Sequence, residues 1–251
     1  MNKVQAVTFD WDMVDWGTGN LTQSFDFDPS NPGNDITITI SGDTGTIKSP
    51  HSGSNFSPDD NELATGGFAG EETLLLSVDF TQDNGNQSLI VTIQFHYVYG
   101  VDNTSFILTD VDRNTTSQNF IDVISDWDAS YGAGPSFYPT LTPSASNFIG
   151  GTNGTSTVFA EGSSSNPDNA SGGNVTVSLT NSIDQISFIY TSGNVPSSSN
   201  PTSQSIGLHD ITFTPAVPEP STWITGGLLL LWVLYSQFRR RNRLACCLKN
   251  K

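Results

Sequence analysis

Ile36-Thr37-Ile38-Thr39-Ile40 alternates an aliphatic with a hydroxyl side chain over five residues. Successive side chains of an extended strand point to opposite faces, so this stretch turns three isoleucines to one side and two threonines to the other. Every one of the five is β-branched, which suits a pleated backbone and disfavours a helix. Strand-like apolar runs recur over residues 74–80, 89–99, 105–109, 175–179, 185–190 and 206–214, and more weakly over 6–11, 21–27, 120–124 and 155–159. Turn residues interrupt them roughly every eight to twelve positions. About ten such strands predict an all-β fold, a β-sandwich of jelly-roll or immunoglobulin-like type.

Between the strands, residues 49–61, 150–155, 162–173 and 193–205 are rich in Gly, Ser, Asn and Pro and read as solvated loops. The chain has 251 residues, enough for one domain of about 200 residues with a real core. It carries 25 Asp and Glu against 9 Lys and Arg, a formal net charge of −16. The imbalance is concentrated in residues 1–218, where 24 acids face only Lys3, Lys48 and Arg113, a net of −21. Such a surface repels phosphate backbones and anionic headgroups, which excludes nucleic acid as a partner. The two cysteines are Cys246 and Cys247, so residues 1–216 contain no disulfide and depend on their core.

The C-terminal tail reads differently. Residues 223–238 contain no charge and include Leu228-Leu229-Leu230-Leu231-Trp232-Val233-Leu234, a span of roughly 24 Å as a helix. This predicts one short transmembrane helix, completed by Ser221, Thr222 or snorkelling arginines. Arg239, Arg240, Arg241 and Arg243 follow it, whereas the fifteen residues before it hold no Lys or Arg. The positive-inside rule puts the basic tail, residues 239–251, in the cytoplasm and residues 1–216 outside. Pro218 and Pro220 keep residues 217–222 extended as a neck between the two.

Val217-Pro218-Glu219-Pro220-Ser221-Thr222, a short apolar span and an arginine cluster together resemble the PEP-CTERM sorting signal of bacterial exported and envelope proteins. The resemblance covers about the last 35 residues. It implies recognition by an exosortase-like membrane enzyme at Pro218, Glu219 and Pro220. It also implies passage from the inner membrane to the cell surface or medium after processing. Ala245 to Lys251 extends beyond the arginine cluster, where the family usually stops. Export calls for a leader, yet Met1-Asn2-Lys3 runs straight into Val4-Gln5-Ala6-Val7, which predicts either a start upstream of Met1 or, against the positive-inside rule, a tail-anchored protein whose domain stays in the cytoplasm.

Two features of residues 1–216 suggest binding. Tyr131, Phe137, Tyr138 and Phe148 stand among glycines and prolines over residues 128–148. These aromatics either pack a long loop onto the sheet or, with Tyr131, Phe137 and Tyr138 as contacts, stack on the rings of a polysaccharide. Asp-x-Asp recurs at Asp10-Trp11-Asp12, Asp26-Phe27-Asp28, Asp110-Val111-Asp112 and Asp126-Trp127-Asp128. In a strand, period two puts both carboxylates on one face. That is either a solvated acidic face or, where several loops converge, the hard-oxygen set that Ca²⁺ takes. Asp110, Asp112 and Asp210, each at a strand end, are the candidate Ca²⁺ ligands.

Catalytic signatures are missing. Only His51, His96 and His209 are present, with no Gly-x-Ser-x-Gly and no His-Glu-x-x-His. His209-Asp210, adjacent in a presumed strand, would point to opposite faces. With 20 Asp, some carboxylate pair falls at glycosidase separation by chance, so a glycoside hydrolase has no specific support. The reading is a non-enzymatic envelope protein, with a polysaccharide-binding module as the alternative.

Overall fold

The computed structural model describes residues 5–48, 57–195, 200–217 and 232. Fifteen strands follow one another: β1 (Val7–Phe9), β2 (Thr22–Phe25), β3 (Ile36–Gly42), β4 (Asp59–Asn61), β5 (Thr73–Val78), β6 (Ser88–Phe95), β7 (Val101–Thr109), β8 (Asp122–Ser130), β9 (Thr140–Pro143), β10 (Asn147–Gly150), β11 (Phe159–Gly162), β12 (Val175–Leu179), β13 (Gln185–Ser192), β14 (Gln204–Leu208) and β15 (Ile211–Pro215). They form two sheets that share one core, a sandwich-like all-β fold.

One sheet has seven strands in the order β10-β11-β8-β13-β6-β3-β2, every neighbour antiparallel. Its strands keep the alternation read from the sequence. Ile36, Ile38 and Ile40 of β3 are buried, as are Leu89, Val91, Ile93 and Phe95 of β6, and Thr37 and Thr39 lie at the half-exposed face. On that outer face Thr22 and Thr39 pair through their hydroxyls at 2.8 Å, and Ser24 and Thr37 at 2.7 Å. In β8, Trp127 is buried between exposed Asp126 and Asp128, the arrangement expected of an Asp-x-Asp pair on a strand.

The other sheet has eight strands and is built around β7. One edge of β7 pairs with β12, which in turn pairs with β9. The other edge is shared: β14 pairs with Leu108 and Thr109, and β15 with residues 101–105. From there the order runs outward through β5 and β4 on one flank and β1 on the other. Gly207 lies where β14 meets β7, and a Cβ there would strike Thr109 Oγ1 and the Ala64 carbonyl, so only glycine allows this approach.

Several boundaries differ from those read in the sequence. The run 206–214 is not one strand but β14 and β15, separated at His209-Asp210. Residues 96–99 turn out of β6 rather than extend it, and β8 runs to Ser130 instead of ending at 124. The stretch 128–148 is therefore not one long loop, since β9 lies inside it and β10 begins at Asn147. These short strands escape notice because three or four residues cannot show a period. β5 is buried at all six positions, so it has no outward face to alternate.

The chain divides into a unit Met1–Ala216 and a second unit Val217–Lys251. Val217 and Trp232 apart, the second lies outside the described residues, and with it Pro218, Glu219, Pro220, the transmembrane span and Arg239, Arg240, Arg241 and Arg243. Among the described residues no helix is long and apolar enough to cross a membrane.

The facing of β3 can be tested. Ile38→Ala should cost about 2–5 kcal/mol through lost burial and the cavity left behind. Thr39→Ala should cost under about 1 kcal/mol. Urea denaturation midpoints at unchanged slope measure both, and equal losses would contradict the assigned face.

Candidate functional site

The aromatic residues singled out in the sequence do not act as one group. Phe137 and Tyr138 line a cleft of ≈440 Å³ together with Ser136, Thr140, Ser178, Thr180 and Asn181. Two elements build it. Phe137 exchanges backbone hydrogen bonds with Ala129 (2.6 and 3.1 Å), which folds the segment after β8 back onto its last turn of strand. Pro139 then leads into β9, where Thr140 pairs with Ser178 of β12. Phe137 packs partly against the core and Tyr138 is half-buried. The polar side chains of the wall are hydroxyls and one amide, and no carboxylate or cation lines it.

Tyr131 stands apart. Its ring is 41% exposed, its hydroxyl donates to the Val98 carbonyl at 3.0 Å, and it takes no part in lining the cleft. It fastens the β8 end to the β6–β7 turn.

Asp110 and Asp112 are brought together, as expected, in a second cavity of ≈290 Å³ that Phe120, Asn166, Asp168 and Gln204 also line. They are not on a strand face. Asp110 leaves β7 with φ 59°, a left-handed conformation that Asp tolerates better than most residues. The turn buries Asp110, Val111 and Asp112 alike, and Asp122 at the start of β8 is fully buried beside them. Hydrogen bonds order the group. Asn166 N–H donates to Asp112 Oδ2 at 2.6 Å, Asp112 N–H to Asp122 Oδ2 at 3.1 Å, and the Tyr190 hydroxyl to Asp122 Oδ1 at 2.8 Å. Asp110 Oδ1 is buried without a partner.

Burial, reinforced by the charges of Asp168, Asp112 and Asp122, pushes the Asp110 carboxyl up to about 10. Burial likewise raises Asp112 to about 6, against the Asn166 hydrogen bond. Asp122 is pushed well above the carboxylate range by burial and by Asp112. No cation enters any of these balances. Burial of this kind favours the protonated carboxyl over the bare charge, as an exposed acidic patch does not.

Asp210 is not with them. It sits at the β14–β15 break, its Oδ1 accepting from Trp11 N–H at 3.1 Å; burial raises its carboxyl, and the charges of Asp10 and Asp12 add to that. The expectation that Asp110, Asp112 and Asp210 converge is thus corrected, because the break in 206–214 carries Asp210 toward β1 instead of toward the end of β7. Asp122, Asn166 and Asp168 were not singled out in the sequence. Asp122 opens β8 and Asn166 and Asp168 share the loop after β11, and nothing local marks either stretch as a neighbour of Asp110 and Asp112.

No protein-family model matches the chain, and no curated protein does. Among solved structures it is similar to the module TmCBM61 in complex with β-1,4-galactotriose, at 10% identity and a TM-score of 0.36, over 70% of this chain and 88% of that one. It is similar also to TmCBM27, a carbohydrate-binding module described for specific mannan recognition, at 9% identity and 0.34, over 85% and 99%. The K2 cleaved adhesin domain of Lys-gingipain gives 15% identity and 0.30, over 84% and 99%. These likenesses are distant, and the function rests on the chain's own geometry.

The raised carboxyls set a pH dependence. Folded Asp110 and Asp112 hold protons that the unfolded chain, near 3.8, has released. The native state then binds more protons than the unfolded state, and stability falls as pH rises. In EDTA, the melting temperature should drop from pH 4 through pH 6 as Asp112 ionises, and continue downward above it as Asp110 resists ionisation. Asp110→Asn should flatten this slope and raise the melting temperature at pH 7.5. A thermal denaturation series in which both proteins show the same pH profile would contradict it.

Proposed function

We propose that residues 1–216 form a non-catalytic module that binds a neutral polysaccharide in the Phe137–Tyr138 cleft. The observation that carries this reading is the composition of the cleft, two aromatic residues beside Ser136, Thr140, Ser178, Thr180 and Asn181. A pyranose ring has an apolar C–H face that stacks on an aromatic ring and a rim of hydroxyls that both donate and accept. Hydroxyl and amide side chains answer either role without a charge that would need desolvation. An anionic glycan would meet the strongly acidic surface and be repelled. With no carboxylate lining the cleft, neither general acid nor nucleophile stands where a glycosidic bond would lie. Ca²⁺ at Asp110 and Asp112, beside Asn166 and Asp168, would order the loops of a separate pocket without touching sugar.

The module is an exported one in this reading. The tail supports it: Pro218, Glu219 and Pro220, an uncharged span and Arg239, Arg240, Arg241 and Arg243 in that order. An exosortase-like enzyme would process the chain at the Pro-Glu-Pro motif after one-pass insertion, leaving the module at the cell surface or in the medium. Replacing Pro218, Glu219 and Pro220 with alanine should leave membrane insertion intact and abolish the shortened mature form in fractionated cells. Unchanged processing would remove the sorting reading.

Binding is tested by affinity electrophoresis through gels containing neutral polysaccharides. Retardation by at least one of them is expected. Tyr138→Ala should weaken it about tenfold, the scale of one lost stacking contact, while Tyr131→Ala leaves it unchanged. Retention unaffected by Tyr138→Ala, or absent throughout the panel, would end the proposal.

A further inference from the structure

Glu71, His209 and Asp210 each offer one ligand-type atom, and the three atoms lie within 4.8 Å of one another. Asp10, Asp12 and Glu71 form a second such group, joined to the first through Glu71. The five side chains come from three distant stretches: the turn after β1, the loop before β5, and the β14–β15 break. The break itself is what makes the first group. β14 and β15 follow the same edge of β7, and His209 N–H donates to the Ile107 carbonyl at 2.9 Å between them. His209 and Asp210 are therefore in a corner, where strand alternation does not apply, and both reach Glu71.

The backbone holds three of the carboxylates by one oxygen each. Trp11 N–H donates to Asp210 Oδ1 (3.1 Å), Asp12 N–H to Asp10 Oδ1 (2.9 Å), and Glu72 N–H to Asp12 Oδ1 (2.8 Å). Such bonds fix the plane of a carboxylate and leave its other oxygen to a ligand, as outer-shell donors do around metal ions. Lys48 Nζ donates to Ser203 Oγ at 2.6 Å, and Arg113 lies where the backbone bridges to Ile121 just before β8.

His209 supplies an independent sign of a ligand. Its side chain is only 9% exposed, its ring lies 4.3 Å from that of Phe68, and its Nε2 is buried with no hydrogen-bond partner. Buried polar atoms are rarely left unpaired, and an imidazole nitrogen beside carboxylates is a common metal donor.

We propose that Glu71, His209 and Asp210, with Asp10 and Asp12 alongside, bind a first-row divalent cation, Mn²⁺ or Zn²⁺. The donor set decides the class. Ca²⁺ and Mg²⁺ take oxygen throughout, whereas one imidazole with several carboxylates suits a borderline ion. The ion would tie the N-terminal turn to the β14–β15 corner and to the loop before β5, three segments that no disulfide joins. This site is separate from the glycan cleft and does not depend on it.

The test uses the full-length chain, stripped with EDTA and titrated with MnCl₂, ZnCl₂ and CaCl₂ by calorimetry, with melting temperatures in parallel. One equivalent of Mn²⁺ or Zn²⁺ should bind, raising the melting temperature by about 5 °C or more at roughly a hundred times the dissociation constant. His209→Ala and, should that variant fold poorly, Glu71→Gln should each weaken binding at least tenfold, while Asp110→Asn leaves it unchanged. Zinc binding that survives both variants but vanishes in Cys246→Ser/Cys247→Ser would place the ion on the tail thiols and overturn the proposal. Ca²⁺ binding that needs Glu71 but ignores His209 would overturn the assignment of the cation, and no binding of any ion would overturn the site.

Discussion

The constraint on which this structure depends is the pairing of β7. Nine residues long and central to its sheet, it must satisfy backbone donors and acceptors on both edges, since neither edge faces water. β12 serves one edge with a five-residue register. No single strand serves the other. β14 covers the C-terminal end of β7, β15 the N-terminal end, and the chain steps between them at His209-Asp210. Both acidic clusters follow from this arrangement. One gathers where β7 runs out and Asp110 turns the chain in a left-handed conformation, the other where the opposing edge changes strand.

Neither cluster is a by-product of a generally acidic surface. An exposed aspartate costs the fold almost nothing, and Asp126 and Asp128, on the wet face of β8, are of that kind. Asp110, Asp112 and Asp122 are buried at 5%, 5% and 0% exposure, with Asp168 adding a further negative charge beside Asp110 and Asp112, an arrangement that works against stability unless protons or a cation offset it. Without cysteines, residues 1–216 offset that cost through the aromatic core. Phe9, Trp11, Trp16 and Phe25 pack edge to face or tilted at 4.7–6.3 Å. Trp11 belongs to this packing and its backbone N–H holds Asp210, so core and cluster meet in one residue.

The period of two made the fold class legible. Ile36-Thr37-Ile38-Thr39-Ile40, residues 89–95 and Val175–Leu179 each show it, because one face of these strands meets the core and the other meets water or half-exposed hydroxyls. Where that asymmetry is lost, the reading fails. β5 is wrapped on both faces, and β4, β9 and β10 are too short for any pattern. The site was legible in part for the same reason. Phe137 and Tyr138 stood out as rings among turn residues, but Ser178, Thr180 and Asn181 reach the cleft only because β12 pairs with β9. That pairing joins residues about forty apart and leaves no local mark.

His209-Asp210 shows how a correct pattern can mislead. Residues 206–208 and 211–214 alternate each in its own phase, and both halves are strands, so the inference that neighbouring side chains diverge was sound within either half. It fails at the junction, where a strand that stays on one partner's edge must change its other neighbour, from β5 to β1. The sheet twist that accumulates along β7 cannot be followed by one continuous strand between two such neighbours without a step, and steps of this kind commonly re-aim side chains. A polar pair inside an otherwise alternating apolar run is the sequence trace of such a step. His209 and Asp210 are that pair, and the structure puts them, with Glu71, where three separate segments meet.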